Sequence, residues 1–164
     1  MVLTDKHIRA WATFLDTDAD FLLCFEDDAV FKDDSVQRPA GLLDRLVRKN
    51  PHGSHLVYVD LAGGLSREAL RVDELQTGKD DSFRYYRKPV TNTTCVYLMS
   101  RSLVSVFHEM LTRRPWLRVI GIDWMMNALF ILMKKANLQC ECMHADPMIF
   151  RHGSVTGEYM SSTR

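Results

Sequence analysis

Three consecutive carboxylates, Glu26-Asp27-Asp28, close a short apolar run, Phe21-Leu22-Leu23-Cys24-Phe25. Adjacent carboxylates raise one another's proton affinity, and a divalent cation relieves that repulsion. On an extended backbone alternate side chains point the same way, which lets Glu26 and Asp28 share one ion while Asp27 turns elsewhere. Oxygen ligands select a hard ion, Mn²⁺ or Mg²⁺, which completes its shell with phosphate and water. A solvated acidic turn is the plainer account of the same residues, and Asp33-Asp34 is another acidic pair close by.

A second carboxylate, Asp123, stands in Gly121-Ile122-Asp123-Trp124. At a helix start it answers the dipole and caps free N–H groups. Its chemical alternative is a general base that takes the proton of an attacking hydroxyl. Trp124 beside it either stacks on a sugar face or fills the core. A third group lies in Arg151-His152-Gly153-Ser154 with Thr156 and Gly157. A neutral imidazole at His152 completes a metal shell. Arg151, the Ser154 and Thr156 hydroxyls and the backbone amides around them suit a diphosphate. The plainer reading of this stretch is a solvated tail. His7 reads as a cap or surface partner on a helix, and His52, His55, His108 and His144 have no motif around them. No dinucleotide fingerprint, P-loop, nucleophile elbow or zincin motif occurs.

These residues need elements to hold them. Ile8, Trp11 and Leu15 fall at helical spacing behind Thr4-Asp5. Phe21–Phe25 and Leu56-Val57-Tyr58-Val59-Asp60-Leu61 are continuous apolar runs of the kind expected for strands buried on both faces. Pro39-Ala40-Gly41 begins a helix that Asn50-Pro51-His52-Gly53 stops. Residues 65–81 read as loop, Phe83–Tyr86 as a weaker strand, and Thr94-Cys95-Val96-Tyr97-Leu98-Met99 as a stronger one. Ser100 or Ser102 caps the helix that follows. A helix from Asp123 and a last strand over Gln139–Met143 complete the pattern. Strands alternating with helices predict one α/β domain over residues 1–164, with a mostly parallel or mixed sheet. Such folds bind ligands at the carboxyl ends of their strands, where Glu26-Asp27-Asp28 falls.

Composition excludes some classes. The 164 residues hold 21 Lys plus Arg and 21 Asp plus Glu, so the basic excess of a nucleic-acid binder is missing. The four cysteines match no zinc spacing and read as buried free thiols in a reducing, cytoplasmic setting. The opening residues carry no secretory signal, and the longest apolar stretch, Trp124–Met133, is about half a membrane span. A membrane-surface acceptor would require peripheral contact, and no basic amphipathic helix marks one.

The segment from His7-Ile8-Arg9-Ala10-Trp11 to Phe21-Leu22-Leu23-Cys24-Phe25-Glu26-Asp27-Asp28-Ala29-Val30-Phe31 resembles glycosyltransferase family 25. That family comprises lipopolysaccharide- and lipooligosaccharide-biosynthesis enzymes and the collagen galactosyltransferases. Its members carry a helix with an "SH…W" pattern, then an apolar strand ending in "EDD". Thr94-Cys95-Val96-Tyr97-Leu98-Met99-Ser100 resembles the family's later "aYliS" strand, and Ile122-Asp123-Trp124 its "(V/I)D" helix start. The resemblance implies a GT-A-like fold, with a mixed sheet flanked by helices. It implies a UDP-sugar donor, Mn²⁺, and inverting transfer of a hexose, galactose or glucose, to a saccharide or glycoconjugate. It carries Glu26, Asp27 and Asp28 over as the metal and diphosphate site and Asp123 as an acceptor-side residue. The family's "SH" pair reads Lys6-His7 here. Its opening nucleotide-binding strand has no counterpart ahead of Met1, so the expectation is the carboxyl-terminal part of a GT-A domain. A phosphoester hydrolase using the same carboxylates, or a non-catalytic glycan-binding module, are the competing expectations.

Overall fold

The structure, a computed structural model, describes residues 2–65 and 71–158. Its centre is a six-stranded mixed sheet. The strands are β1 (Phe21–Phe25), β3 (Val57–Asp60), β4 (Gln76–Lys79), β5 (Phe83–Tyr86), β6 (Val96–Ser100) and β7 (Glu141–Ala145), in the spatial order β1-β6-β3-β7-β5-β4. Only β3 and β7 run parallel; the other neighbours are antiparallel. A separate ladder joins β2 (Ala29–Val30) to β8 (Arg151–His152).

Alternation along the central strands sorts their side chains into two cores. Tyr58, Tyr97, Met99 and Cys142 face α1 (Val2–Leu15), α3 (Arg101–Arg113) and α4 (Ile122–Lys135), packing on Trp11, Phe107, Met125 and Phe130. Val57, Val59, Val96, Leu98 and Met143 face the other way, onto Leu42 and Leu46 of α2 (Gln37–Lys49) and onto Ile149 and Phe150. The result is an α/β fold with a mixed sheet flanked by helices.

Several elements differ from expectation. β1 is an edge strand with half-buried side chains, not a strand buried on both faces. Its apolar run arises because helices and tail cover both of its faces, while among the described residues only β6 pairs with it. Residues 76–79, read as loop, pair with β5 through a bulge between Gln76 and Gly78. Their composition is polar because this is the opposite sheet edge, where charge and irregularity block further pairing. Part of that expected loop, residues 66–70, lies outside the described residues. The last strand begins at Glu141, two residues later than expected.

Two devices tie α3 and α1 to the sheet. Ser100 ends β6 and caps α3, its Oγ accepting from Leu103 N at 3.4 Å and from Val57 N at 3.0 Å. Arg101 follows, and its guanidinium stacks 4.8 Å over Phe14 and donates to the carbonyls of Ala19 (2.7 Å) and Thr17 (2.6 Å). The carboxyl end of α1 is thereby fastened beside β1, and His7 is set facing Glu26.

Candidate functional site

Glu26 leaves β1 with its N–H donating to Cys95 O at 2.8 Å, so the acidic turn starts alongside the residues that precede β6. Its Oε1 lies 2.6 Å from Thr94 Oγ1 and 3.1 Å from His7 Nε2. His7 is in turn 2.8 Å from Tyr97 Oη, which accepts from Trp11 Nε1 at 2.9 Å. The chain Trp11–Tyr97–His7–Glu26 is buried almost throughout. Burial works against a charged His7, but hydrogen bonds with Cys24 and Glu26 outweigh it and lift the ring to about 9. Burial raises Glu26, yet the His7 and Thr94 hydrogen bonds hold its carboxyl below the usual range. His7 was expected to be a cap or surface partner. Its buried role was signalled only by its position four residues ahead of Trp11, on the same helical face.

Asp28 points at the tail. Its Oδ2 is 2.9 Å from His152 Nε2 and accepts from Ser154 N at 3.3 Å and from the Ser154 hydroxyl. Its carbonyl accepts from Gly153 N at 2.9 Å, and its Oδ1 lies 3.7 Å from Cys95 Sγ. Burial favours the neutral acid, but Ser154 and His152 prevail and keep Asp28 below the usual carboxylate range. The expected tail loop is instead β8 followed by a single helical turn, Gly153–Thr156. The reason is local: pairing of Ala29 with His152 and Val30 with Arg151 lays the tail against the acidic turn. The amides of Gly153 and Ser154 are therefore engaged by Asp28 and are not free to wrap a diphosphate.

The other predicted residues divide. Asp27 is exposed. Thr156 bonds back to the carbonyls of its own turn, at His152 (3.2 Å) and Gly153 (3.3 Å). Arg151 pairs with Glu158 at 3.0 Å and lines a cleft of about 330 Å³ with Lys32, Gly63, Gly64 and His152. Lys32 donates to Met148 O at 2.7 Å; burial and the Arg151 charge lower its proton affinity. Asp123 sits in the first turn of α4, half-buried, with Oδ1 enclosed and lacking a hydrogen-bond partner. Burial, then the nearby Glu26 charge, pushes its carboxyl up. Trp124 beside it is 77% exposed, so it is not a core residue.

A polar stretch that sequence reasoning passed over, Thr91-Asn92-Thr93, leads into Thr94 and supports both halves. Asn92 N donates to the buried Asp60 at 2.9 Å, and Thr91 is bonded in both directions to Asn127 of α4. Thr94 then reaches Glu26, and Thr93 reaches His152 Nδ1 at 3.3 Å. Three small hydrogen-bonding residues just ahead of the expected strand were the available signal.

Among the described residues, one set of His, Cys and carboxylate groups is spaced to hold a metal ion: Asp28, Cys95 and His152, whose donor atoms lie within 4.8 Å of one another. Glu26 is not part of it. The mixed oxygen, nitrogen and sulfur donors fit a divalent cation. No helix of the described residues is long and apolar enough to cross a membrane. No protein-family model matches the sequence, and no curated protein matches it.

Proposed function

We propose that the chain belongs to a GT-A-like glycosyltransferase related to family 25, and that its site transfers a hexose from a UDP-sugar to a saccharide or glycoconjugate. The observation that carries this reading is the placement of Asp28 and His152 beside a cleft lined by two cations, Lys32 and Arg151. A carboxylate–imidazole pair and two positive side chains suit a metal-bound diphosphate. Family resemblance supplies the sugar chemistry.

Asp28 and His152 would hold a divalent cation, which would supply charge neutralisation for the departing diphosphate. Lys32 and Arg151 bind its phosphate oxygens. Asp123, half-buried in the first turn of α4, accepts the proton of the acceptor hydroxyl. Its raised proton affinity suits that task, and Glu26, pinned by His7 and Thr94, sustains it from nearby. Exposed Trp124 offers the acceptor sugar an apolar face. The acceptor oxygen bonds to the anomeric carbon as the bond from that carbon to UDP breaks, so a single displacement inverts the centre.

The test is thermal unfolding of the protein with Mn²⁺, with UDP, and with both. The expected result is a rise with both that exceeds the sum of the separate shifts and is lost in Asp28→Ala. No shift in any combination would overturn the donor-site reading. UDP release from UDP-galactose and UDP-glucose, with and without saccharide acceptors, then identifies the sugar.

A further inference from the structure

We infer that Asp28, Cys95 and His152 form a thiolate-containing site selective for Zn²⁺ over Mn²⁺. This rests on the reading of Asp28 and His152 as cation ligands, and not on glycosyl transfer itself.

The donor spacings carry the inference. Cys95 Sγ is 3.7 Å from Asp28 Oδ1, and His152 Nε2 is 2.9 Å from Asp28 Oδ2. A tetrahedral zinc ion with bonds of about 2.0 Å to N and O and about 2.3 Å to S separates N from O by about 3.3 Å and S from either by about 3.5 Å. These two distances run to different oxygens of the Asp28 carboxylate, and with three protein ligands only one of the two binds the ion. One carboxylate oxygen, the imidazole nitrogen and the sulfur all lie within 4.8 Å of one another, close enough for side-chain rotation to bring them onto one ion.

The surroundings orient each donor. The Thr93 hydroxyl donates its one proton to Gly63 O at 3.1 Å, so its oxygen is left to accept from His152 Nδ1–H at 3.3 Å. That leaves Nε2, the nitrogen facing Asp28, as the ligating atom. Such a hydrogen bond behind a histidine is the usual support of a metal ligand. Ser154 grips Asp28 through both its amide and its hydroxyl. Cys95 is locked at the entrance to β6 by the bond from Glu26 N to its carbonyl, and its side chain is fully enclosed.

Three protein ligands leave one position on a four-coordinate ion, the pattern of zinc sites that bind a further ligand. A soft sulfur donor favours Zn²⁺ and Co²⁺ over Mn²⁺, and the general affinity order of divalent ions runs the same way. Zn²⁺ and Mn²⁺ therefore compete for Asp28 and His152, and Cys95 decides the winner.

The test is titration of the purified, reduced protein with Co²⁺, read by its thiolate-to-cobalt charge-transfer absorption, followed by displacement with Zn²⁺. The expected result is one equivalent of Co²⁺ with the charge-transfer band, displaced by one equivalent of Zn²⁺. Cys95→Ser, close in size, should abolish the band and weaken Zn²⁺ binding about 100-fold. His152→Ala, outside the core, should do the same and guards against a folding defect in the cysteine variant. Absence of the band in the parent protein, or Zn²⁺ affinity unchanged in Cys95→Ser, would overturn the inference. If the band is absent while Mn²⁺ and UDP still stabilise together, zinc selectivity fails and the donor site stands. If the band is present without any UDP effect, the metal site stands and the donor reading fails.

Discussion

His7 Nε2 lies 3.1 Å from Glu26 Oε1, an ion pair whose side chains are only 3% and 11% exposed, bridging the first helix to the first residue past β1. Removing one member leaves the other charged group buried and alone, which typically costs about 3–5 kcal/mol. His7→Gln, which keeps most of the volume, should therefore lower stability by about 3 kcal/mol at pH 6 in urea unfolding. The sign with pH follows from both partners. His7 is raised from 6.5 to about 9, so its contribution is full below 6.5 and disappears as pH rises through about 9. Glu26 is lowered from 4.5, so its contribution is present above 4.5 and disappears in acid. The difference between parent and variant should peak near pH 5–6 and shrink as pH rises from 6.5 to about 9; a gap that stays constant to pH 10 would rule out the charged pair.

Asp123→Asn keeps the shape of the carboxylate and removes its capacity to take a proton. Transfer should fall about 10²–10⁴-fold, as expected when a general base is lost. Stabilisation by Mn²⁺ plus UDP should be nearly unchanged, because Asp28 and the cleft cations are untouched. Equal loss of both readouts would place Asp123 in donor binding instead.

Gly63 and Gly64 are a stringent test of the cleft floor. Gly63 has φ +62°, and a Cβ there would come within 2.6 Å of Met148 Cε. A Cβ at Gly64 would collide with Thr93 Cγ2 and stand 3.2 Å from His152 Nδ1. Gly64→Ala should displace the Thr93–His152 pair and weaken metal binding about tenfold or more by calorimetry. Gly63→Ala should cost about 1–3 kcal/mol in thermal unfolding through strain and overpacking.

Lys32→Ala removes one of the two cleft cations without touching the metal donors. UDP affinity should fall about tenfold, the loss of one charge-assisted contact. Mn²⁺ affinity should hold. The salt dependence of UDP binding should also flatten, since fewer charges remain to be screened.

The sequence made the layout of the site partly legible. Glu26-Asp27-Asp28 was visible because charge abruptly follows an apolar strand, and Asp123 because helix starts have recognisable chemistry. What decided the roles was not local. Glu26 and Asp28 share a strand end, but one meets α1 and the other meets the tail, and no spacing rule reports which partner waits across the fold. His7 and Cys95 look like ordinary helix and strand residues until the sheet order brings them to the acidic turn. The edge position of β1 was hidden for a similar reason: cover on two faces looks the same in sequence whether or not both edges are paired. Thr91-Asn92-Thr93 drew no reading because it carries no motif, yet Thr91 and Asn92 are buried together with Thr94, which was read as the start of a strand.

The β2–β8 ladder also divides the chain unevenly. Ser154 follows Asp28 by 126 positions, and all six strands of the main sheet precede Arg151 in the chain. A chain cut ahead of Arg151 would thus keep the sequence of every strand of that sheet while the Asp28 side chain lost His152 and Ser154. The integrity of this corner therefore rests on a few residues that the main sheet does not include.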